Sequence, residues 1–272
     1  ARMYTCLARL REFRLMISKY FLSLSALFSL AIALGGLDSA QDQSTEKNAA
    51  PTAHYAEPTT RYGHFALGRP HEYSAVVYVD AQGRRQSFSL PSDEVFEDLA
   101  PHIVFLRPQQ PAHLLTIVSH KSTGARLVLI AQSRDGLAIV AQSEPIGTPH
   151  RWLNPVAVTD LDGDGEAEIA AVITPHIGGI LKIFKRDGAR LIEVAQMRGF
   201  SNHVYGSPEL DLSTVFVHED IPTLAVPDQS RTTLRLLNFR SGQLSESKRC
   251  SVRAPVVGRV TTTPAHDLSV VT

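Results

Sequence analysis

A chain of 272 residues with 43% apolar side chains is long enough for one sizeable core, and its 27 basic and 27 acidic residues cancel. The basic Arg2, Arg9, Arg11, Arg14 and Lys19 and the acidic Glu12 all fall in the first 19 positions, so the rest holds 22 basic against 26 acidic residues, a balance of −4. A mildly acidic body lacks the basic surface that nucleic-acid binding requires.

In chain order, the basic start is followed by an apolar run from Tyr20 to Leu34 that is too short and too Ser-rich for a comfortable membrane span. That order is the order of an export signal, with Met16 a conventional start and cleavage after Gly35 or Ala40. Residues 1–40 are therefore expected to be leader, an uncleaved anchor being the alternative. A secreted or periplasmic location follows, with no membrane contact after signal cleavage. Residues 41–60, QDQSTEKNAAPTAHYAEPTT, are polar, aperiodic and Pro-containing, which predicts a flexible linker before a folded domain at 61–272.

Four stretches of that domain read as strand, Gly turn, strand: VVYVDAQGRRQSFSL from Val76, LVLIAQSRDGLAIVAQS from Leu127, ILKIFKRDGARLIEVAQ from Ile180 and TLRLLNFRSGQLSES from Thr233. Their glycines, Gly83, Gly136, Gly188 and Gly242, are 53, 52 and 54 residues apart. A further strand pair precedes three of them: His102 to Leu106 with Leu114 to Val118, Val156 to Val158 with Ile169 to Ile173, and Leu212 to Val217 with Thr223 to Val226. Four strands per unit is the makeup of a propeller blade. The expectation is an all-β fold, a small β-propeller of about four blades of four antiparallel strands. Pro255 to Val260 and His266 to Val271 would join the N-terminal hairpin and close the ring. An open half-ring paired with a second copy is the alternative. Helical periodicity is confined to one short stretch, Ser92 to Leu99.

The densest chemistry lies in PVAVTDLDGDGEAEIAAVITP, from Pro155 to Pro175. Asp160, Asp162 and Asp164 at alternate positions repel one another unless a cation sits between them, and Ca²⁺ takes flexible carboxylate cages of this kind. The twelfth position from Asp160 is Ala171 and the flanks favour strands, so this is not an EF-hand. The ligand set then closes within nine residues: side chains of Asp160, Asp162 and Asp164, the backbone carbonyl of Glu166, and the carboxylate of Glu168. The alternative is an acidic Asp-Gly turn without metal. The corresponding joins RPQQPA, HEDIP and TTTPA lack alternate acids, and His218, Glu219 and Asp220 read more readily as a solvated turn than as a second site.

Strand, DLDGDG loop, acid at position nine and following strand together resemble the FG-GAP or VCBS repeat, a β-propeller unit also found in integrin α-subunit heads. About 25 residues carry the resemblance, and Glu168 stands where the family more often has Asp. The resemblance implies a calcium-binding propeller.

For function, none of the nucleophile-elbow, phosphate-loop or HExxH motifs occurs, and the 11 histidines read as scattered surface or channel-lining residues. Trp152 reads as packing between units, with stacking on a sugar as the alternative. The expected function is a secreted, non-catalytic module that binds protein or carbohydrate, with Ca²⁺ structural in one loop. The alternative is a glycan lyase or hydrolase on the same scaffold, which needs a convergent acid–base set that the sequence does not assemble.

Overall fold

Apolar runs bounded by turn glycines resolve into strands along the whole body. The computed structural model describes residues 49–263 and 267–272, and among these there are 18 strands and no helix. The expected leader lies outside the described residues. Among the described residues no helix is long and apolar enough to cross a membrane.

Strands β1 (Thr52–Thr59), β2 (Glu72–Val79) and β3 (Arg85–Ser89) form an antiparallel set with β2 in the middle. The short β4 (Glu94–Phe96) touches β2 at the single pair Tyr73–Phe96 and continues onto β6. Three four-stranded meanders follow. The first is β5 (His102–Val104), β6 (His113–His120), β7 (Gly124–Ser133) and β8 (Gly136–Gln142). The second is β9 (Leu153–Thr159), β10 (Glu168–Ile173), β11 (Gly179–Asp187) and β12 (Arg190–Phe200). The third is β13 (Thr214–His218), β14 (Ile221–Pro227), β15 (Thr233–Arg240) and β16 (Gln243–Ser251). The last two strands, β17 (Val260–Thr262) and β18 (Leu268–Val270), pair with each other.

Burial follows position in the sheets. β10 is buried along its whole length and β6 along all but its last residue, as apolar runs flanked on both sides must be. The edge strands β3 and β16 alternate exposed and half-buried residues over most of their length. Pro155, which cannot donate to a ladder, sits on edge strand β9 at the register shift opposite Ala170 and Ala171.

The expected ring of four separate blades does not form. Twelve strands, β1 to β12, share one open sheet, beside a four-stranded sheet and a two-stranded one, and none closes on itself. The first two meanders are joined by one parallel pair, Gln142 with Arg190. The C-terminal strands pair with each other and not with the N-terminal hairpin, whose β2 lies between β1 and β3. Val260, Leu268 and Val270 bury instead against Leu212, Leu234 and Val256, beside the third meander. Part of the expected linker is itself a strand: β1 lies within 41–60, and its Tyr55 stacks on Tyr73 and Phe96 with centroids 5.6 and 5.0 Å apart. The expected helix at 92–99 is likewise replaced by β4, whose Val95 and Phe96 are fully buried.

Candidate metal centre

The acidic loop joins β9 to β10, and its shape follows from its own residues. Gly163 and Gly165 take φ of +85° and +88°, which L side chains rarely adopt, and so fold the chain back within a few residues. Asp160 closes the bend from inside: the N–H of Gly163 donates to its Oδ1 at 2.7 Å and that of Gly165 to its Oδ2 at 2.8 Å. The N–H of Glu166 donates to Asp164 Oδ1 at 2.9 Å. Two contacts anchor the loop to the body. Leu161 is buried in the apolar cluster shared by the second and third meanders, and the Ala167 N–H donates to the Leu106 carbonyl at 2.7 Å.

Glu168 opens β10 fully buried and receives the Leu161 N–H on Oε2 at 2.7 Å. Its other oxygen makes no hydrogen bond but lies 2.9 Å from Lys185 Nζ. Burial pushes the Glu168 carboxyl above the usual range, while the Leu161 N–H and Lys185 pull it back. Lys185 sits across from it on β11, one step beyond the pair Ile169–Phe184. The same ammonium lies 2.9 Å from Asp162 Oδ2 and 2.6 Å from Asp164 Oδ2. Burial disfavours its charge, yet the three carboxylates outweigh that and raise its pKa.

The structure therefore divides the five expected ligands. Asp160, Asp162 and Glu168 each bring one oxygen within 4.8 Å of the others, the spacing a bound cation requires. Asp164 turns toward Lys185, and the Glu166 carboxylate toward Arg107 at 2.8 Å. The role expected of Glu166 is that of its backbone carbonyl, and its side chain is accounted for by Arg107. Five carboxylates set against Lys185 and Arg107 leave three negative charges uncompensated in the loop. Oxygen donors alone suit a hard divalent ion.

Sequence reading missed Lys185, because its place at the loop depends on the β10–β11 register. The signal was present in the strand pattern: once Ile169 is paired with Phe184, Glu168 must face residue 185. Glu219 and Asp220, the other acidic pair considered, form the two-residue turn between β13 and β14 with φ of +50° and +61°. The histidines are less scattered than expected, since His64, His150 and His176 line one cavity and His203 backs it. No protein-family model matches the chain, and no curated protein sequence matches it.

Proposed function

We propose that the 160–168 loop holds a divalent cation of the calcium type, and that the protein is an exported, non-catalytic module for binding protein or carbohydrate. The observation that carries the cation is the gathering of Asp160, Asp162 and Glu168 within 4.8 Å in a loop that retains a threefold negative excess. The DLDGDG pattern shared with FG-GAP and VCBS repeats supports the same reading. A cation held only by the folded chain stabilises it by mass action, by about 2.7 kcal/mol at a hundredfold excess over Kd. Its role is to pin β9 to β10 at the loop.

Lys185 is the cation's built-in competitor. Its ammonium lies against Asp162, Asp164 and Glu168, and its side chain is 27% exposed, so it can swing out to solvent as the ion enters. Thermal melting in calcium and then in chelator tests the reading on three proteins. The wild-type midpoint should rise in calcium, Asp162→Asn should lose the rise, and Lys185→Met should enlarge it. Equal midpoints in both conditions for wild type and for Lys185→Met would remove the cation assignment.

A further inference from the structure

Away from the acidic loop, four connections converge on a cavity of about 260 Å³. His64 comes from the β1–β2 connection, His150 and Arg151 from β8–β9, His176 and Ile177 from β10–β11, and Tyr205 from β12–β13. The hydrogen bonds behind this wall show which ring nitrogens are already engaged.

His64 Nδ1 lies 2.6 Å from Oε1 of Glu97, a residue only 2% exposed. Ser119 donates its hydroxyl to the second Glu97 oxygen, and the Trp152 indole N–H donates to the Glu97 carbonyl at 2.8 Å. The Glu97 contact engages Nδ1, so Nε2 is the His64 nitrogen left to meet a ligand. A relay fixes the second histidine. His203 Nε2 lies 2.8 Å from the Ser207 carbonyl, which only accepts, so that nitrogen carries the proton and Nδ1 accepts. His176 Nε2, 2.7 Å from His203 Nδ1, must then be the donor, and His176 Nδ1 is left bare. Burial, followed by the neighbouring His203, holds the His176 pKa down to about 4, so the lone pair persists at neutral pH.

Tyr205 stands beside both rings, its centroid 5.9 Å from His64 and 5.3 Å from His176. It is 57% exposed yet held by its hydroxyl, which donates to the His64 carbonyl at 2.8 Å, and Ile177 in the cavity wall is 60% exposed. An exposed aromatic face that is nevertheless fixed loses little freedom when a ligand covers it.

We propose that this cavity binds one neutral sugar residue, with one hydroxyl donating to His176 Nδ1, a second hydroxyl hydrogen-bonded to His64 Nε2 and a C–H face lying on Tyr205. The fixed acceptor His176 Nδ1 and the open His64 Nε2 call for a ligand that brings hydroxyls. An anion would set its own lone pairs against them. A cation would meet Arg151 in the wall and Arg231, whose charge acts on both His176 and His203. A metal would need the imidazole nitrogens gathered as the loop acids are, and among the described residues only Asp160, Asp162 and Glu168 are gathered in that way. The volume lies just below the usual range of small-molecule pockets and suits one ring better than a chain of them.

This inference deepens the binding-module reading and rests on it, but not on the cation. The test is saturation-transfer NMR on the wild-type chain with the methyl glycosides of glucose, galactose, mannose, xylose and N-acetylglucosamine, run in calcium and in chelator beside thermal melting. At least one glycoside should receive saturation, and its affinity should fall about five- to tenfold in His176→Leu and in Tyr205→Ala. Tyr205→Ala gives up one hydrogen bond at an exposed ring, should lower the midpoint by only about a few degrees, and so keeps the test decisive if His176→Leu fails to fold. No transfer from any of the five, or transfer unchanged in Tyr205→Ala, overturns the proposal. A calcium-dependent midpoint without sugar transfer removes the cavity's role and leaves the cation standing; transfer without a calcium shift does the reverse.

Discussion

The acidic loop and the histidine cavity are opposite kinds of site. The loop is nine consecutive residues whose charges oppose one another, and its bend is closed by hydrogen bonds spanning two to five positions. The cavity is assembled across the chain, and the bond from Tyr205 to the His64 carbonyl spans 141 positions. The loop carries charge it cannot neutralise from within, whereas burial holds the pKa values of His176 and His203 down and the Ser207 carbonyl places their protons. A local site can be written in a short motif. A distributed one exists only after the strands have paired, so its stability is that of the whole fold.

That contrast can be broken at several points. The largest effect should come from Trp152→Ala. Trp152 is 1% exposed, packs against His203 and donates to the Glu97 carbonyl, so its loss should cost about 3–5 kcal/mol in urea unfolding. The calcium-dependent increment should survive in that variant, and its disappearance would show that the two regions are not separable. Glu168→Ala should cost roughly 3 kcal/mol in chelator, since it strands the buried Leu161 N–H and one side of Lys185. Glu168→Gln, which retains an acceptor for that N–H, should cost less, and both variants should abolish the calcium increment.

Acid should act mainly on the cavity. The His176 pKa is about 4 in the folded chain against an ordinary 6.5, so between those values the unfolded chain binds a proton that the folded one does not. Stability from this ring is complete above pH 6.5 and is lost as pH falls toward 4. Discounted for the water around a partly exposed ring, the loss is about 1–2 kcal/mol. Urea titrations at pH 7 and 4.5 should show it in wild type and a smaller fall in His176→Leu. The smallest effect belongs to Tyr205→Ala, which should cost about 1 kcal/mol or less through its bond to the His64 carbonyl while weakening sugar binding.

Much of the local structure was legible. Hairpins form at Gly83, Gly136, Gly188 and Gly242, all at positive φ, because a turn of that kind needs a residue without a Cβ and the flanking runs are apolar or alternating. The acidic bend was legible for the same reason, since its geometry is set by neighbours in sequence. What could not be read is how the meanders associate. Nothing in the polar TAHYAEPT marks residues 52–59 as a strand; Tyr55 becomes buried only when β2 offers an edge. Lys185 and the cavity histidines escaped likewise, because register and long-range packing bring them to their places.

Trp152 is the only tryptophan in the chain. Its indole lies parallel to His176 with centroids 6.1 Å apart, and 4.9 Å from His203. Protonated imidazole quenches indole emission far more than the neutral ring does, so the native protein carries its own optical gauge of proton occupancy at these rings. Strand β9 separates that gauge from Asp160 by about 26 Å of extended backbone. A change in brightness on adding calcium would therefore report motion transmitted along β9, with no dye attached.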